Sequence, residues 1–151
     1  MSDCKCTWCL DACRHKPGWF APGEAELAAQ LLGLKFEDFF AKYLAVDWWV
    51  ESPVDIYVLA PALVGQRAGH MYPAVPTGTC VLLTPEGLCS IHDHKPRECR
   101  EAMHTDTPAE VRARHRRMYE LWVDHQPQVR ALLDREPVSA SFTILDTLRA
   151  M

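Results

Sequence analysis

Seven cysteines fall in two knots, and this arrangement constrains the chain more than any other feature. The first knot is Cys4, Cys6, Cys9 and Cys13, in SDCKCTWCLDACRH. The second is Cys80, Cys89 and Cys99, in CVLLTPEGLCSIHDHKPRECR. The 66 residues between the knots and the 52 after Cys99 hold no cysteine. Thiols gathered this closely call for a shared partner, and soft or borderline metal ions are the partners thiolates hold best. A single centre shared by both knots would bring residues some seventy positions apart to a common region.

Size decides against the other common use of cysteine. A chain of 151 residues, 48% hydrophobic and 24% charged, can bury a core without disulfide staples. An odd cysteine count fits a full disulfide framework poorly. The N-terminus lacks a basic stretch followed by an apolar run, and nothing approaches the roughly 18 consecutive apolar residues of a membrane helix. The expectation is a cytoplasmic protein with reduced thiols and no membrane partner. A net charge of -4 argues against nucleic acid as a partner of the whole chain.

Hydrophobic spacing predicts a mainly α protein with a small β-hairpin, a single compact domain over residues 1–151 closed by a cysteine-ligated metal centre. The cysteine-cluster part covers about 4–103, and the C-terminal helices about 105–151. Glu24 and Glu26 open a helix over EAELAAQLLG, which Gly33 ends. Phe36, Phe39, Phe40 and Tyr43 recur at helical spacing and predict core packing over 36–44. VDIYVLAPALV reads as a strand or extended segment. Gly65, Gly69, Pro73, Pro76 and Gly78 mark a loop. CVLLT and LCSI then read as hairpin arms around the turn Pro85-Glu86-Gly87. Pro96 to Met103 predicts one or two helical turns. Thr107 and Glu110 form a capping box with Pro108 at the first position of a helix over 108–125. Val111, Met118, Leu121 and Trp122 form its expected apolar stripe. Pro127 starts another short helix, and a last one is expected over 141–150.

The ligand chemistry follows from spacing. Cys6-x-x-Cys9 has the two-residue gap that lets one tight turn present two sulfurs to one ion, as in zinc knuckles and iron–sulfur loops. Cys13 lies one helical turn beyond Cys9, and Cys4 is a fourth ligand or a spare. Cys80 and Cys89 begin and end the expected hairpin, and Cys99 folds back after Pro96. All seven are candidate metal ligands. Seven sulfurs exceed the four that a single zinc or cubic cluster takes. Three arrangements follow: one centre drawing on both knots, two tetrahedral sites helped by His15, His92, His94 or His104, or a polynuclear centre with bridging thiolates. A CxxC redox pair would normally open a helix of a βαβ unit, and the sequence holds no such unit.

The stretch from Cys80 to Arg100 resembles the cysteine-cluster family of zinc- or iron-chelating domains. That family's pattern is a cysteine, eight residues, then C-S-I-Y-x-x-R-P-x-x-C-R. Both cysteine gaps match here, with His92 in place of tyrosine and Lys95 in place of arginine. The family's first knot, C-x-x-x-C-x-x-C-C, is altered: Cys6-x-x-Cys9 is kept, and the paired cysteines become Cys9-x-x-x-Cys13. PGWFAPGEAELAAQL resembles the helix that follows that knot. The resemblance covers about residues 4–103. It implies zinc or iron as cofactor, including an iron–sulfur cluster, and no particular reaction.

Other residues carry weaker signals. Lys95, Arg97, Arg100, Arg112, Arg114, Arg116 and Arg117 make the region after the hairpin locally basic. They read as a solvated face or as a rim for an anionic or protein partner. Arg100 follows Cys99, where its charge would favour thiolate. Asp47-Trp48-Trp49 places two tryptophans for core packing or for shielding a metal. Glu51, Asp55 and Asp93 are candidate carboxylates without distinguishing spacing. Phosphate-cradling glycine loops, G-x-S-x-G and H-E-x-x-H are absent. The expected function is metal binding with the reaction unassigned. The alternatives are an iron–sulfur redox or metal-dependent enzyme, and a metal-stabilised adaptor that binds a protein through the basic helix.

Overall fold

A computed structural model describes residues 11, 14–49, 55–73, 76–102 and 105–134. Cys4, Cys6, Cys9, Cys13, Glu51, His104 and the helix expected over 141–150 lie outside these residues.

Two short helices open the described chain. Helix α1, Glu24–Leu31, follows Gly23, whose φ of 89° sets the turn, and buries Ala25, Ala28 and Ala29. Small residues there let α1 lie close to α2, Phe36–Tyr43, which buries Phe39 and Phe40. The chain leaves α2 directly into strand β1, Leu44–Trp49, paired antiparallel with β2, Ile56–Pro61. The register runs from Leu44 opposite Pro61 to Trp49 opposite Ile56. On the other side of β1, Val46 donates its amide to His70 O at 2.9 Å and accepts from Tyr72 N at 2.8 Å. The 70–72 segment therefore covers the strand edge that β2 leaves open.

Helix α3, Arg97–Glu101, α4, Pro108–Trp122, and α5, Gln126–Asp134, complete the elements, with a 3-10 turn over Val123–His125 between the last two. The expected cap of α4 is present: Thr107 Oγ1 accepts from Glu110 N at 3.2 Å, with Pro108 next to it. Helices α4 and α5 pack on β2. Gln126 stitches α5 to the strand, its amide side chain donating to Tyr57 O at 2.9 Å and accepting from Tyr57 N at 2.8 Å. One buried cluster reaches from Trp19 to Leu133, with Phe20, Phe39, Leu44, Val46, Val58, Ile91 and Val129 among its most enclosed members.

Three expectations require correction. The β-hairpin is 44–61, not 80–91. The turn at Pro85-Glu86-Gly87 does form, with Thr84 N donating to Leu88 O at 2.7 Å, but its arms share the single antiparallel bridge Leu83–Cys89. Cys80 is drawn away to pair with Leu63 and with Arg14 O instead. Second, the buried stripe of α4 holds Met118 and Trp122, whereas Leu121 is 41% exposed. Third, closure by a metal centre is overturned: among the described residues, no three of His, Cys, Asp and Glu gather so as to hold a metal ion.

Protein contacts make the closure that metal was expected to make. Cys80 N donates to Arg14 O at 2.7 Å, and His15 Nδ1 lies 3.1 Å from Gly78 O. Gly18, Trp19 and Phe20 then bond in turn to α3, to α3 and β1, and to β2 and α4. Phe20 N donates to Leu59 O at 2.9 Å, and Phe20 O accepts from Trp122 Nε1 at 2.8 Å. Buried backbone groups so satisfied, together with a fully enclosed phenyl ring, hold the N-terminal segment to the core.

Candidate functional site

The segment 14–20 runs between two of the cysteines of the second knot. Cys80 is buried at the end of the 76–80 stretch. The φ of 116° at Gly78 fits a conformation that other residues rarely adopt, and a Cβ there would lie 2.5 Å from Val64 O. Cys99 is buried in the first full turn of α3. Its Sγ accepts a hydrogen bond from Gly18 N at 3.0 Å. That approach needs glycine, because a Cβ at residue 18 would meet Glu98 Cβ at 2.6 Å and Cys99 N at 2.8 Å. Hydrogen bonds to sulfur stabilise the thiolate form and tune a bound metal.

Tyr72 lies close to both buried cysteines. Burial pushes its hydroxyl far above the usual tyrosine range, and negative charge on Asp47, Cys80 and Cys99 pushes the same way. The Tyr72 hydroxyl donates to Pro61 O. Cys89, half-buried beside Leu83, belongs to the turn rather than to this group. Cys80, Cys89 and Cys99 are thus not a ligand triad by themselves.

The histidines expected to assist stand apart. His15 is exposed and turned to Gly78 O, and His92 and His94 are exposed in a 3-10 turn. Arg100 bridges two other groups. Its guanidinium donates to Lys95 O at 2.6 Å and to Glu24 Oε2 at 2.5 Å. Glu24 Oε1 also accepts from Ala21 N and Arg97 N, so Glu24 fixes the turn before its own helix and ties α1 to α3. Asp55 and Asp93 are exposed.

A second group of side chains gathers around Trp19, and spacing did not reveal it. Trp19 N donates to Glu98 Oε1 at 3.0 Å, and Trp19 Nε1 to Asp47 Oδ2 at 2.8 Å. Both carboxyls are held above the ordinary range, Glu98 up to about 7. Burial is the main cause for each, and the hydrogen bonds from Trp19 work against it. The charge of Arg114 also lowers the Glu98 value, whereas Asp47 and Glu101 raise it. His115 Nε2 is 3.4 Å from Glu98 Oε2, and its ring stacks on Trp19 at 4.8 Å between centroids. Trp49 meets both rings edge-on and stacks with Tyr119 at 6.3 Å. Trp48 and Trp49 are half-buried, whereas Trp19 is buried, and its two N–H groups engage buried Glu98 and half-buried Asp47.

Chemically, the region offers two buried sulfurs, one with an N–H donor fixed on it, and two carboxyls beside aromatic rings, Glu98 buried and Asp47 half-buried. The sulfurs can supply part of a ligand set for a thiophilic metal, and the remainder must come from elsewhere in the chain. No family model, curated protein or solved structure matches this sequence. The likeness of residues 80–100 to the cysteine-cluster pattern therefore rests on the spacing of its own residues.

Proposed function

We propose that this protein binds zinc or iron, the iron as an ion or an iron–sulfur cluster, with ligands drawn from both cysteine knots. The observation that carries the reading is the N–H donor that Gly18 fixes on the sulfur of buried Cys99. An apolar cysteine in a core has no need of such a donor, whereas a thiolate ligand does. Two further features support it. Cys80 and Cys99 share Tyr72 as an electrostatic neighbour. Cys13 is the residue before Arg14, whose carbonyl receives the amide of Cys80. In this reading Cys80 and Cys99 supply two sulfurs, and two of Cys6, Cys9 and Cys13 complete the four, with Cys4, Cys89 and the third of that group the spare thiols.

Anaerobic purification followed by elemental analysis and a visible spectrum tests the proposal. It expects stoichiometric zinc in a colourless protein, or iron with absorption near about 400 nm from thiolate-ligated centres. A folded, reduced protein that takes up neither metal would rule it out.

A further inference from the structure

Three successive amides of the N-terminal segment are each committed to a different partner. Gly18 N donates to Cys99 Sγ at 3.0 Å, Trp19 N to Glu98 Oε1 at 3.0 Å, and Phe20 N to Leu59 O at 2.9 Å. The first two partners are neighbours in α3, so Cys99 and Glu98 take adjacent amides of one stretch of backbone. Glu98 N also donates to Trp19 O at 3.4 Å, which makes residues 19 and 98 a two-point bridge. Such a bridge holds the peptide planes on both sides of Trp19.

Gly18 needs that restraint. Glycine has the widest choice of φ and ψ, so no side chain of its own sets where its N–H points. Pro17 limits the backbone before it through a fixed φ. After it, the Glu98 carboxyl holds Trp19 N. That carboxyl is held in turn. Glu98 is buried, its Oε2 lies 3.4 Å from His115 Nε2, and the charge of Arg114 reaches it from α4. Trp19 is pinned once more through Nε1 to Asp47 Oδ2 at 2.8 Å. A chain of contacts therefore runs from α4 through Glu98 and the 18–19 peptide to the sulfur of Cys99.

We propose that Glu98 is the positioning residue of the cysteine site: its carboxyl holds the 18–19 peptide so that the Gly18 N–H stays on the Cys99 sulfur. On the reading of Cys99 as a metal ligand, on which this assignment rests, Glu98 acts on the metal only through that donor. What it supplies is the reach of its oxygen and not its charge. A negative charge beside a thiolate disfavours the thiolate, so the sulfur gains nothing from the charge itself.

Two variants separate reach from charge. Glu98→Gln keeps an acceptor oxygen at the same length and removes the charge. Glu98→Asp keeps the charge and withdraws the oxygen by one methylene. The full chain, 15N-labelled, reduced and metal-free, gives the proton shift and exchange rate of the Gly18 amide, and competition with a chelator then gives zinc affinity. Glu98→Gln should keep the Gly18 shift, its exchange rate and the zinc affinity of the parent. Glu98→Asp should speed Gly18 exchange, move its shift toward that of an unbonded glycine, and weaken zinc binding about 10–100-fold. The opposite order would overturn the proposal by making charge the working property, and so would two variants that behave alike. Loss of the Gly18 shift or of zinc affinity in folded Glu98→Gln overturns it alone, whether or not Glu98→Asp folds. The amide readout needs no metal, so the two failures are distinct. A parent that takes up neither zinc nor iron sinks the metal reading, and the Gly18 amide in the two variants still decides whether Glu98 aims the donor.

Discussion

The amide of Gly18 donates to the sulfur of Cys99 across 3.0 Å, although 81 positions separate the two residues. The contact depends on there being no side chain at residue 18. Gly18→Ala would drive a methyl group into Glu98 Cβ and Cys99 N. Overpacking of this kind costs about 1–3 kcal/mol. Urea unfolding should show that loss at an unchanged m-value. A variant as stable as the parent would mean that the close approach of 18 to 98–99 is absent in solution.

The ionisation of Glu98 sets a pH dependence with a definite sign. Its carboxyl is raised from 4.5 to about 7 in the folded chain, so the folded state binds the proton more tightly than the unfolded one. Stability is then full below about pH 4.5 and falls as pH rises to about 7, levelling beyond that. Asp47 is raised as well, and it pushes in the same direction from its own lower starting point. The Glu98 contribution amounts to at most about 3 kcal/mol. Unfolding of the metal-free protein at successive pH values should show the decline, and Glu98→Gln should flatten it. A stability that instead rises across this range in the parent and in Glu98→Gln alike would contradict the burial of the carboxyl.

Two ion pairs of the same chemistry should behave differently. Arg114 and Asp106 meet at 2.7 Å with side chains only 11% and 12% exposed. Asp106→Ala leaves a buried guanidinium without its carboxylate, which costs about 3–5 kcal/mol. Arg97 and Glu101 also meet at 2.8 Å, but with 44% and 33% exposed side chains. Glu101→Ala should cost under about 1 kcal/mol. Paired thermal melts decide this, and equal losses would show that burial does not separate the two pairs.

Much of this fold could be read from the sequence, and the parts that could not have physical reasons. Helices α1, α2 and α4 announced themselves through Glu24, the Phe36–Tyr43 spacing and the Thr107–Glu110 box, which are local signals. Strand β1 did not, because its partners, Ile56–Pro61 and the 70–72 segment, are supplied by distant chain. The 80–91 hairpin was overread for the matching reason: its turn is local, but Cys80 finds better partners in Leu63 and Arg14. The carboxyls of Glu98 and Asp106 escaped because α4 turns Arg114 and His115 inward at the positions that continue its Met118–Trp122 stripe. Polar residues at such positions read as solvent-facing until their partners Asp106 and Glu98 are seen. Cys99 could be picked from spacing, whereas the glycine that serves it could not.

Because hydrogen bonds and Phe20 join the N-terminal segment to the core, the described fold should survive chelation. Treatment with a strong chelator should leave the far-ultraviolet circular dichroism and the near-ultraviolet tryptophan signal in place. Loss of both would return the closure of the fold to the metal.

In the proposed site, sulfur from the two knots together holds the metal, with Cys99 among the ligands. X-ray absorption at the edge of the bound metal counts those sulfurs directly. The expected result is a coordination shell dominated by sulfur, near about 2.3 Å if the metal is zinc, that loses one sulfur in Cys99→Ser and none in Cys89→Ser. A shell of oxygen and nitrogen, or a sulfur count unchanged by Cys99→Ser, would contradict it.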